Sequence, residues 1–187
     1  MKDRLSIICL LLIGLTVIVS ASGCGIRGMI KGQVVDAATG KPIEGAAVAV
    51  RWLKYEFGPP FSSGYKNIET EEDLTDINGF FRLPKYTGRK NFMGAYKKGY
   101  ICWNSTSIFH PLGTTYEERI EKRKGHEIIN GMVIRLEPFK TEYPKGRHAT
   151  FTTNTGTRLS TSGVSVFDKA IKHETLLDIK RLRENNN

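Results

Sequence analysis

Apolar and polar side chains alternate with a period of two in several short stretches between residues 30 and 138. In the segment AAVAVRW, Val48 and Trp52 fall on one face, while the small residues Ala47 and Ala49 fall on the other. This spacing is typical of a β-strand, in which successive side chains point to opposite sides of the sheet. The pattern therefore predicts a strand with one face in a core and the other against a close neighbour.

The other predicted strands are separated by turn residues. Residues 30–35 are the first predicted strand, and DAATGKPIEG then supplies the Asp, Gly and Pro residues that favour chain reversal. In TDINGFFRLP, Asp76 and Gly79 are predicted to form a tight turn before the buried Phe81. The segments FMGAYKKGY and GMVIRLEP are two further predicted strands. Short strands, regular turns and little helix predict an all-β sandwich over residues 29–138.

Two inserts interrupt the predicted strands. The segment Leu53–Tyr65 is rich in aromatic residues, Pro and Gly, and it is predicted to be a loop. The charged segment TYEERIEKRKGH is predicted to form a short helix, because Glu118 and Lys122 have the favourable i,i+4 order.

The composition changes towards the C-terminus. Residues 150–165 contain nine Ser or Thr out of sixteen, so residues 139–165 are predicted to be a linker or a weak hairpin. Residues 166–187 are predicted to form an amphipathic helix that begins at a capping box of Ser165 and Asp168. This helix either packs against the sandwich or binds a partner. Its apolar stripe consists of Phe167, Ala170, Ile171, Leu177 and Leu182.

The first residues have the layout of a secretory signal. Two basic residues precede an apolar run, Leu5–Val19, and small residues then lead to Cys24. The run is shorter than the roughly 20 apolar residues that the alternative, a membrane-spanning helix, needs. The segment ASGC resembles the lipobox of bacterial lipoproteins, with Ala21 where that motif usually has Leu. The resemblance implies a lipoprotein signal peptide over residues 1–23, lipidation of Cys24 and a lipid-anchored tether over residues 24–28.

The cysteines and the residue after Cys24 bear on the location of the protein. Cys9 lies in the apolar run, so the cleaved chain keeps only Cys24 and Cys102. Lipidation of Cys24 leaves Cys102 without a partner, whereas the alternative is a disulfide between the two. Gly25 stands where an acidic residue would resemble an inner-membrane retention signal. The expected location is therefore the cell envelope, on the periplasmic or outer face of an outer membrane.

The charge of the chain is strongly positive. Its 187 residues include 28 Lys and Arg against 19 Asp and Glu, which gives a formal net charge of +9. A basic exported protein attracts anionic lipids, lipopolysaccharide or acidic wall polymers over about one Debye length. Nucleic acid is not an expected partner outside the cytoplasm.

Three segments together suggest a family. IKGQVVDAATGKPIEGAAVAV, TDINGFFRLP and KKGY resemble the carboxypeptidase regulatory-like domain, whose fold is a transthyretin-like (prealbumin-like) β-sandwich. The resemblance covers residues 29–100 well and residues 101–138 loosely, and it does not extend further. It implies an all-β, transthyretin-like β-sandwich, and it explains architecture rather than chemistry, because function has to be argued from a site. The principal matching positions are Gly32, Asp36, Gly40, Pro42, Gly45, Asp76, Gly79, Phe81, Gly99 and Tyr100.

No catalytic or metal-binding constellation is evident in the sequence. The four histidines have none of the spacings that hold a catalytic zinc. An enzyme activity, a cofactor and a metal site are therefore not expected. Lys31, in the first predicted strand, and Asn130, near the last, are minor candidates for an isopeptide crosslink of the kind found in related surface sandwiches.

Aromatic residues in and beside the first insert are the candidate ligand surface. Aromatic faces stack on sugars or anchor protein interfaces. The alternative is that these residues cover the end of the sandwich as a packed loop. The candidates are Trp52, Tyr55, Phe57, Phe61, Tyr65 and Trp103.

The sequence therefore predicts a non-enzymatic, membrane-anchored envelope lipoprotein whose sandwich binds an envelope protein or polysaccharide. The alternative is a structural accessory subunit of an envelope assembly, which docks through residues 139–187. The two hypotheses differ in whether the aromatic surface or the C-terminal segment contacts the partner.

Overall fold

The computed structural model describes residues 26–58, 63–86, 90–111, 128–159 and 166–172. Within these ranges the chain forms two β-sheets and two helices. The strands are β1 (Ile26–Asp36), β2 (Ala47–Glu56), β3 (Gly64–Leu74), β4 (Phe80–Tyr86), β5 (Lys90–Tyr96), β6 (Trp103–Asn104) and β7 (Met132–Leu136). The helices are α1 (Lys145–Leu159) and α2 (residues 166–172).

The two sheets form a sandwich. The smaller sheet has the order β4-β1-β7, in which β1 is antiparallel to β4 and parallel to β7. The larger sheet has the order β3-β2-β5-β6, and all of its pairs are antiparallel. The prediction of an all-β sandwich with helix near its C-terminal end is confirmed.

The core between the sheets follows the period-two pattern of the sequence. In β2, Val48, Val50 and Trp52 are buried in this core, and Ile134 and Leu136 of β7 face them from the other sheet. The intervening residues of β7 are exposed. The predicted alternation is therefore confirmed in both sheets.

The turn between β3 and β4 is closed by side-chain and backbone hydrogen bonds. The carboxylate of Asp76 accepts hydrogen bonds from the amides of Asn78 and Phe80, each at 2.9 Å. Gly79 has φ of +74°, and a Cβ at this position would lie 2.5 Å from the carbonyl oxygen of Val34. Only glycine fits both requirements, which explains the DINGF segment of the sequence.

Two helices cover the outer face of the larger sheet. Ala47 and Ala49 of β2 are buried against Leu159 of α1 and Phe167 of α2. The small residues of β2 therefore admit a close neighbour, as their pattern predicts. The prediction of a linker or weak hairpin over residues 139–165 is wrong, because residues 145–159 form a helix.

The composition of α1 explains this error. Threonine is a poor helix former in isolation, so a Thr-rich segment gives no helical signal. In the folded chain Thr152 and Thr155 are buried, and the Thr155 hydroxyl donates to the carbonyl of Phe151 at 3.0 Å. Packing against the sheet, rather than intrinsic propensity, therefore stabilises the helix.

The helix α2 confirms the start of the predicted C-terminal helix, with Phe167 and Ile171 buried as the stripe requires. The carboxylate of Glu72 in β3 accepts hydrogen bonds from the amides of Val166 at 2.9 Å and Phe167 at 3.2 Å. These contacts cap the first turn. The predicted capping residue Ser165, and the stripe residues beyond position 172, lie outside the described residues.

Two other predicted boundaries change. β1 begins at Ile26, inside the predicted tether over residues 24–28. The segment Leu53–Tyr65 is not a loop throughout, because β2 continues to Glu56 and β3 begins at Gly64. The signal peptide, Cys24 and the short helix predicted in TYEERIEKRKGH lie outside the described residues. Within the described part of the chain, no helix is both long and apolar enough to cross a membrane.

Candidate functional site

A two-stranded ribbon extends the larger sheet beyond β5. β2 pairs with β5 as far as Leu53 and Lys90, but it pairs with β3 as far as Glu56 and Gly64. Tyr55 lies directly opposite Tyr65 in this ribbon. The ribbon thus has β3 on one side of β2 and no described strand on the other.

Three aromatic rings lie together on the ribbon. The centroids of Tyr55 and Tyr65 are 5.3 Å apart and those of Tyr55 and Phe57 are 4.9 Å apart, both pairs in edge-on geometry. Phe57 is the first residue after β2, and its ring contacts the Tyr55 ring. The Phe57 side chain is 84% exposed and Tyr65 is 52% exposed. These three residues are hereafter the ribbon cluster.

A cation adjoins the ribbon cluster. The Lys90 ammonium lies 4.8 Å from the centroid of the Tyr65 ring, within the range of a cation–π contact. The carboxylate of Glu56 is 3.6 Å from the ammonium of Lys66, and both side chains are exposed. The charges of Glu56 and Lys66 offset each other, so the surface combines exposed aromatic rings with the cation of Lys90.

The structure removes two residues from the predicted ligand surface. Trp52 is only 2% exposed and Trp103 is 9% exposed, and both belong to the core between the sheets. Trp52 lies on the same face of β2 as Val48 and Val50. Trp103 lies directly opposite the buried Ala95 in the β5–β6 pair. Strand alternation therefore directs both indoles inward. A third candidate, Phe61, lies outside the described residues.

A second concave feature lies between α1 and the loop that follows β6. The groove has a volume of about 390 Å³, within the range of about 300–1,000 Å³ that ligand pockets occupy. Its lining residues are mostly of polar types, but most of the surface that they expose is apolar. The lining residues are Asn104, Ser107, Phe151, Asn154, Thr155, Thr157 and Arg158.

Asn104 organises the floor of this groove. Its side-chain amide donates to the Thr155 hydroxyl at 3.0 Å, and its side-chain oxygen accepts from the amides of Thr106 and Ser107 at 3.1 and 2.7 Å. Asn104 is 3% exposed. Its hydrogen bonds thus hold the loop after β6 against α1.

Arg158 stands at the edge of the groove. Its guanidinium donates to the Thr106 hydroxyl at 2.8 Å and lies 4.0 Å from the centroid of the Phe92 ring. The Arg51 guanidinium donates to the carbonyl oxygen of Arg158 at 3.0 Å, where the end of a helix favours a cation. The two contacts of the Arg158 guanidinium fix its position.

The sequence does not predict the groove, because its helical half lies in the segment that is predicted to be a linker. The signal was present, since Phe151, Asn154, Thr155 and Arg158 have the i, i+3, i+4, i+7 spacing of one helix face.

Beneath the start of α1 lies a buried cluster around Cys102. Its backbone amide donates to Nε2 of His148 at 3.0 Å, and the His148 ring packs against Phe109 and Phe139. Burial raises the pKa of the Cys102 thiol to about 12. Cys102 is a buried free thiol, and Cys24, the other member of the alternative disulfide, lies outside the described residues. Among the described residues, no three His, Cys, Asp or Glu side chains are grouped to hold a metal ion.

The fold brings together two distant motif residues. The Tyr100 hydroxyl donates to the Asp36 carboxylate at 3.0 Å, and that carboxylate also accepts from the amides of Ala38 and Thr39, each at 2.8 Å. The hydrogen bond from the Thr39 amide is the main cause that lowers the pKa of Asp36. Asp36 therefore has a structural role in the turn after β1.

The two crosslink candidates also lie close together. The side-chain oxygen of Asn130 accepts a hydrogen bond from the backbone amide of Lys31 at 3.0 Å. Both residues are exposed, whereas a crosslink assisted by a buried acid needs a dry site. The position of the Asn130 side chain is therefore explained by its hydrogen bond with the Lys31 backbone amide, and not by a crosslink.

Comparison with known proteins assigns no family to the chain. No model of a known protein family matches the chain, and no curated protein matches it. Membership of the carboxypeptidase regulatory-like family therefore stays a prediction.

Solved structures of two classes resemble the sandwich. Catechol 1,2-dioxygenase from Pseudomonas arvilla C-1 is 15% identical over 64% of this chain and 55% of that chain, with a TM-score of 0.39. An intradiol ring-cleavage dioxygenase from Tetranychus urticae is 17% identical over 64% and 84% of the two chains, with a TM-score of 0.38. The C-terminal domain of shaft pilin spaA from Lactobacillus rhamnosus GG is 13% identical over 60% and 100%, with a TM-score of 0.31. Neither the fold nor a function of this chain is argued from likenesses at these values.

Proposed function

We propose that this chain is a non-catalytic, lipid-anchored binding module of a bacterial cell envelope. The ribbon cluster of Tyr55, Phe57 and Tyr65 is its binding surface, and its ligand is an envelope polysaccharide or protein. The observation that carries the proposal is the 84% exposure of Phe57 beside two tyrosines on one ribbon face. Large apolar side chains grouped at the surface are typical of interaction sites.

The contacts of the cluster favour a ligand with sugar rings or an extended apolar face. Ring faces stack on flat partners, and the hydroxyls of Tyr55 and Tyr65 add hydrogen-bonding capacity. The Lys90 ammonium attracts ligands that also carry negative charge. The C-terminal segment is the weaker candidate for partner binding, because Phe167 and Ile171 pack against this chain's own sheet.

The binding proposal is tested by co-sedimentation of residues 25–187 with isolated cell wall and envelope polysaccharide. These residues include every strand and helix that the structure describes. We expect Phe57→Ala to weaken binding roughly 30-fold, because truncating an aromatic anchor costs about 2 kcal/mol. Stability should not change, since the side chain is 84% exposed.

Phe80→Ala is the matched control. Phe80 is 51% exposed and lies in β4 of the other sheet, away from the ribbon. Equal binding by wild type, Phe57→Ala and Phe80→Ala would contradict the ribbon cluster as the binding surface.

Membrane anchoring is tested separately in the full chain. We expect Cys24→Ser to move the protein from the membrane fraction to the soluble fraction, because acyl chains on the cysteine supply about 0.8 kcal/mol for each buried methylene. Retention of Cys24→Ser on membranes to the same extent as wild type would contradict lipidation at this residue.

A further inference from the structure

The groove between α1 and the loop after β6 is separate from the ribbon cluster. One face of α1 lines it with an aromatic ring, an amide, a hydroxyl and a guanidinium, supplied by Phe151, Asn154, Thr155 and Arg158. The buried Asn104 holds the opposite wall in place through its bonds to Thr155 and to the loop. One wall of the groove is thus a helix, and the other is a loop that the hydrogen bonds of Asn104 hold against it.

Arg158 provides a fixed cation at this groove. Thr106 accepts a hydrogen bond from one guanidinium nitrogen at 2.8 Å, and the ring of Phe92 supports the guanidinium face. In the described part of the chain, Arg158 forms no ion pair with a carboxylate. Because a guanidinium has five N–H donors, several remain for a ligand.

We propose that this groove binds a short saccharide that carries a carboxylate. The Arg158 guanidinium pairs with the carboxylate, the arrangement in which its fork of donors is most selective. The half-buried ring of Phe151 contacts a face of the sugar ring. Asn154 and Thr157 are exposed at the groove and supply hydrogen bonds to sugar hydroxyls.

The chemistry of the lining favours an acidic sugar over the other small ligands. Six of the seven lining residues carry an amide, hydroxyl or guanidinium group, whereas most of the surface that the lining exposes is apolar. This mixture suits a sugar, which presents both hydroxyl groups and CH faces. The free positive charge of Arg158 favours a charged sugar over a neutral one. This inference does not depend on the ribbon cluster, and the two sites can be tested apart.

The test is titration calorimetry of residues 25–187 with digalacturonate and with its dimethyl ester. The two probes have the same sugar rings and differ in charge. We expect digalacturonate to bind wild type, and we expect the ester to bind at least tenfold more weakly. Failure to detect digalacturonate binding at millimolar concentrations, or equal binding of the ester, would overturn the proposal.

Variants locate the site. We expect Arg158→Gln and Asn154→Ala to weaken digalacturonate binding, by at least tenfold for Arg158→Gln. Asn154 is exposed, so its variant keeps the test valid if loss of the Arg158 contacts destabilises the fold. Arg147→Gln removes an exposed charge from the same helix without touching the groove, and Phe57→Ala alters only the ribbon. Both variants should bind digalacturonate as wild type does. If Arg147→Gln and Arg158→Gln lose the same amount of digalacturonate affinity, the attraction is nonspecific and the site is refuted.

Discussion

At Gly32 the sequence motif of the first strand has a steric origin. A Cβ at this position would lie 2.4 Å from Cζ of Phe81 and 2.9 Å from the carbonyl oxygen of Met132. The Phe81 ring therefore occupies the space that a side chain would need. The motif pairs a glycine in β1 with an aromatic residue in β4 because the two are directly opposite in the sheet.

We expect Gly32→Ala to lower the free energy of unfolding by about 1–3 kcal/mol, the usual cost of overpacking a core. Urea unfolding measures this difference. Gly64→Ala is the matched control, because a Cβ added at this position meets no atom within 4 Å. Its free energy of unfolding should stay within about 0.5 kcal/mol of the wild-type value. Similar unfolding midpoints for the two variants would contradict the contact with Phe81.

Asp36 gives a prediction about acid stability. Its folded-state pKa lies below the ordinary value of 3.8, chiefly because of the hydrogen bond from the Thr39 amide. The ionised form therefore stabilises the fold above the unfolded pKa, and this stabilisation is lost as the pH falls through the folded pKa.

We expect Asp36→Asn to unfold more readily than wild type at pH 7 and to lose less stability between pH 5 and pH 3, as measured by thermal unfolding across this range. Glu44→Gln, at an exposed carboxylate, controls for the change in net charge. Parallel pH profiles for Asp36→Asn and wild type would show that the carboxylate does not contribute.

At the scale of elements, the strands were predictable and the helix α1 was not. Val48, Val50 and Trp52 alternate with small residues, so their strand is visible in the sequence alone. The helical half of the groove belongs to a Thr-rich segment whose stability comes from contact with β2 and β5, and such tertiary support is invisible to local propensity. Trp52 was predictable too, because the alternation that defines its strand also directs it into the core.

Capping of α2 is another tertiary effect. Glu72 lies in β3, far along the chain from the helix whose amides it binds. We expect Glu72→Ala to lower stability by about 0.5–2 kcal/mol, the typical cost of losing a helix cap. Hydrogen exchange should become faster in peptides that cover residues 166–172.

Glu69→Ala is the control for this experiment, because Glu69 is exposed on the same strand. Unchanged exchange of residues 166–172 in Glu72→Ala would contradict capping by this carboxylate.

At the scale of the whole molecule, the outer face of the larger sheet carries the helices, and it also carries the ribbon cluster. Ala47, Ala49, Arg51 and Tyr55 have the same parity along β2, so one face runs from the helix contacts to the exposed rings. The smaller sheet has no comparable aromatic cluster in its described residues. The sequence shows that these aromatic residues are close along the chain. Their rings come into contact because Tyr55 and Tyr65 pair across the ribbon.

The most direct test of this account is hydrogen–deuterium exchange of residues 25–187 with and without envelope polysaccharide. We expect slower exchange in peptides that span residues 53–66, with no change in β4 and β7 of the smaller sheet. Protection of β4 and β7 without the ribbon, or no protection of the ribbon by any polysaccharide or protein fraction of the envelope, would contradict it.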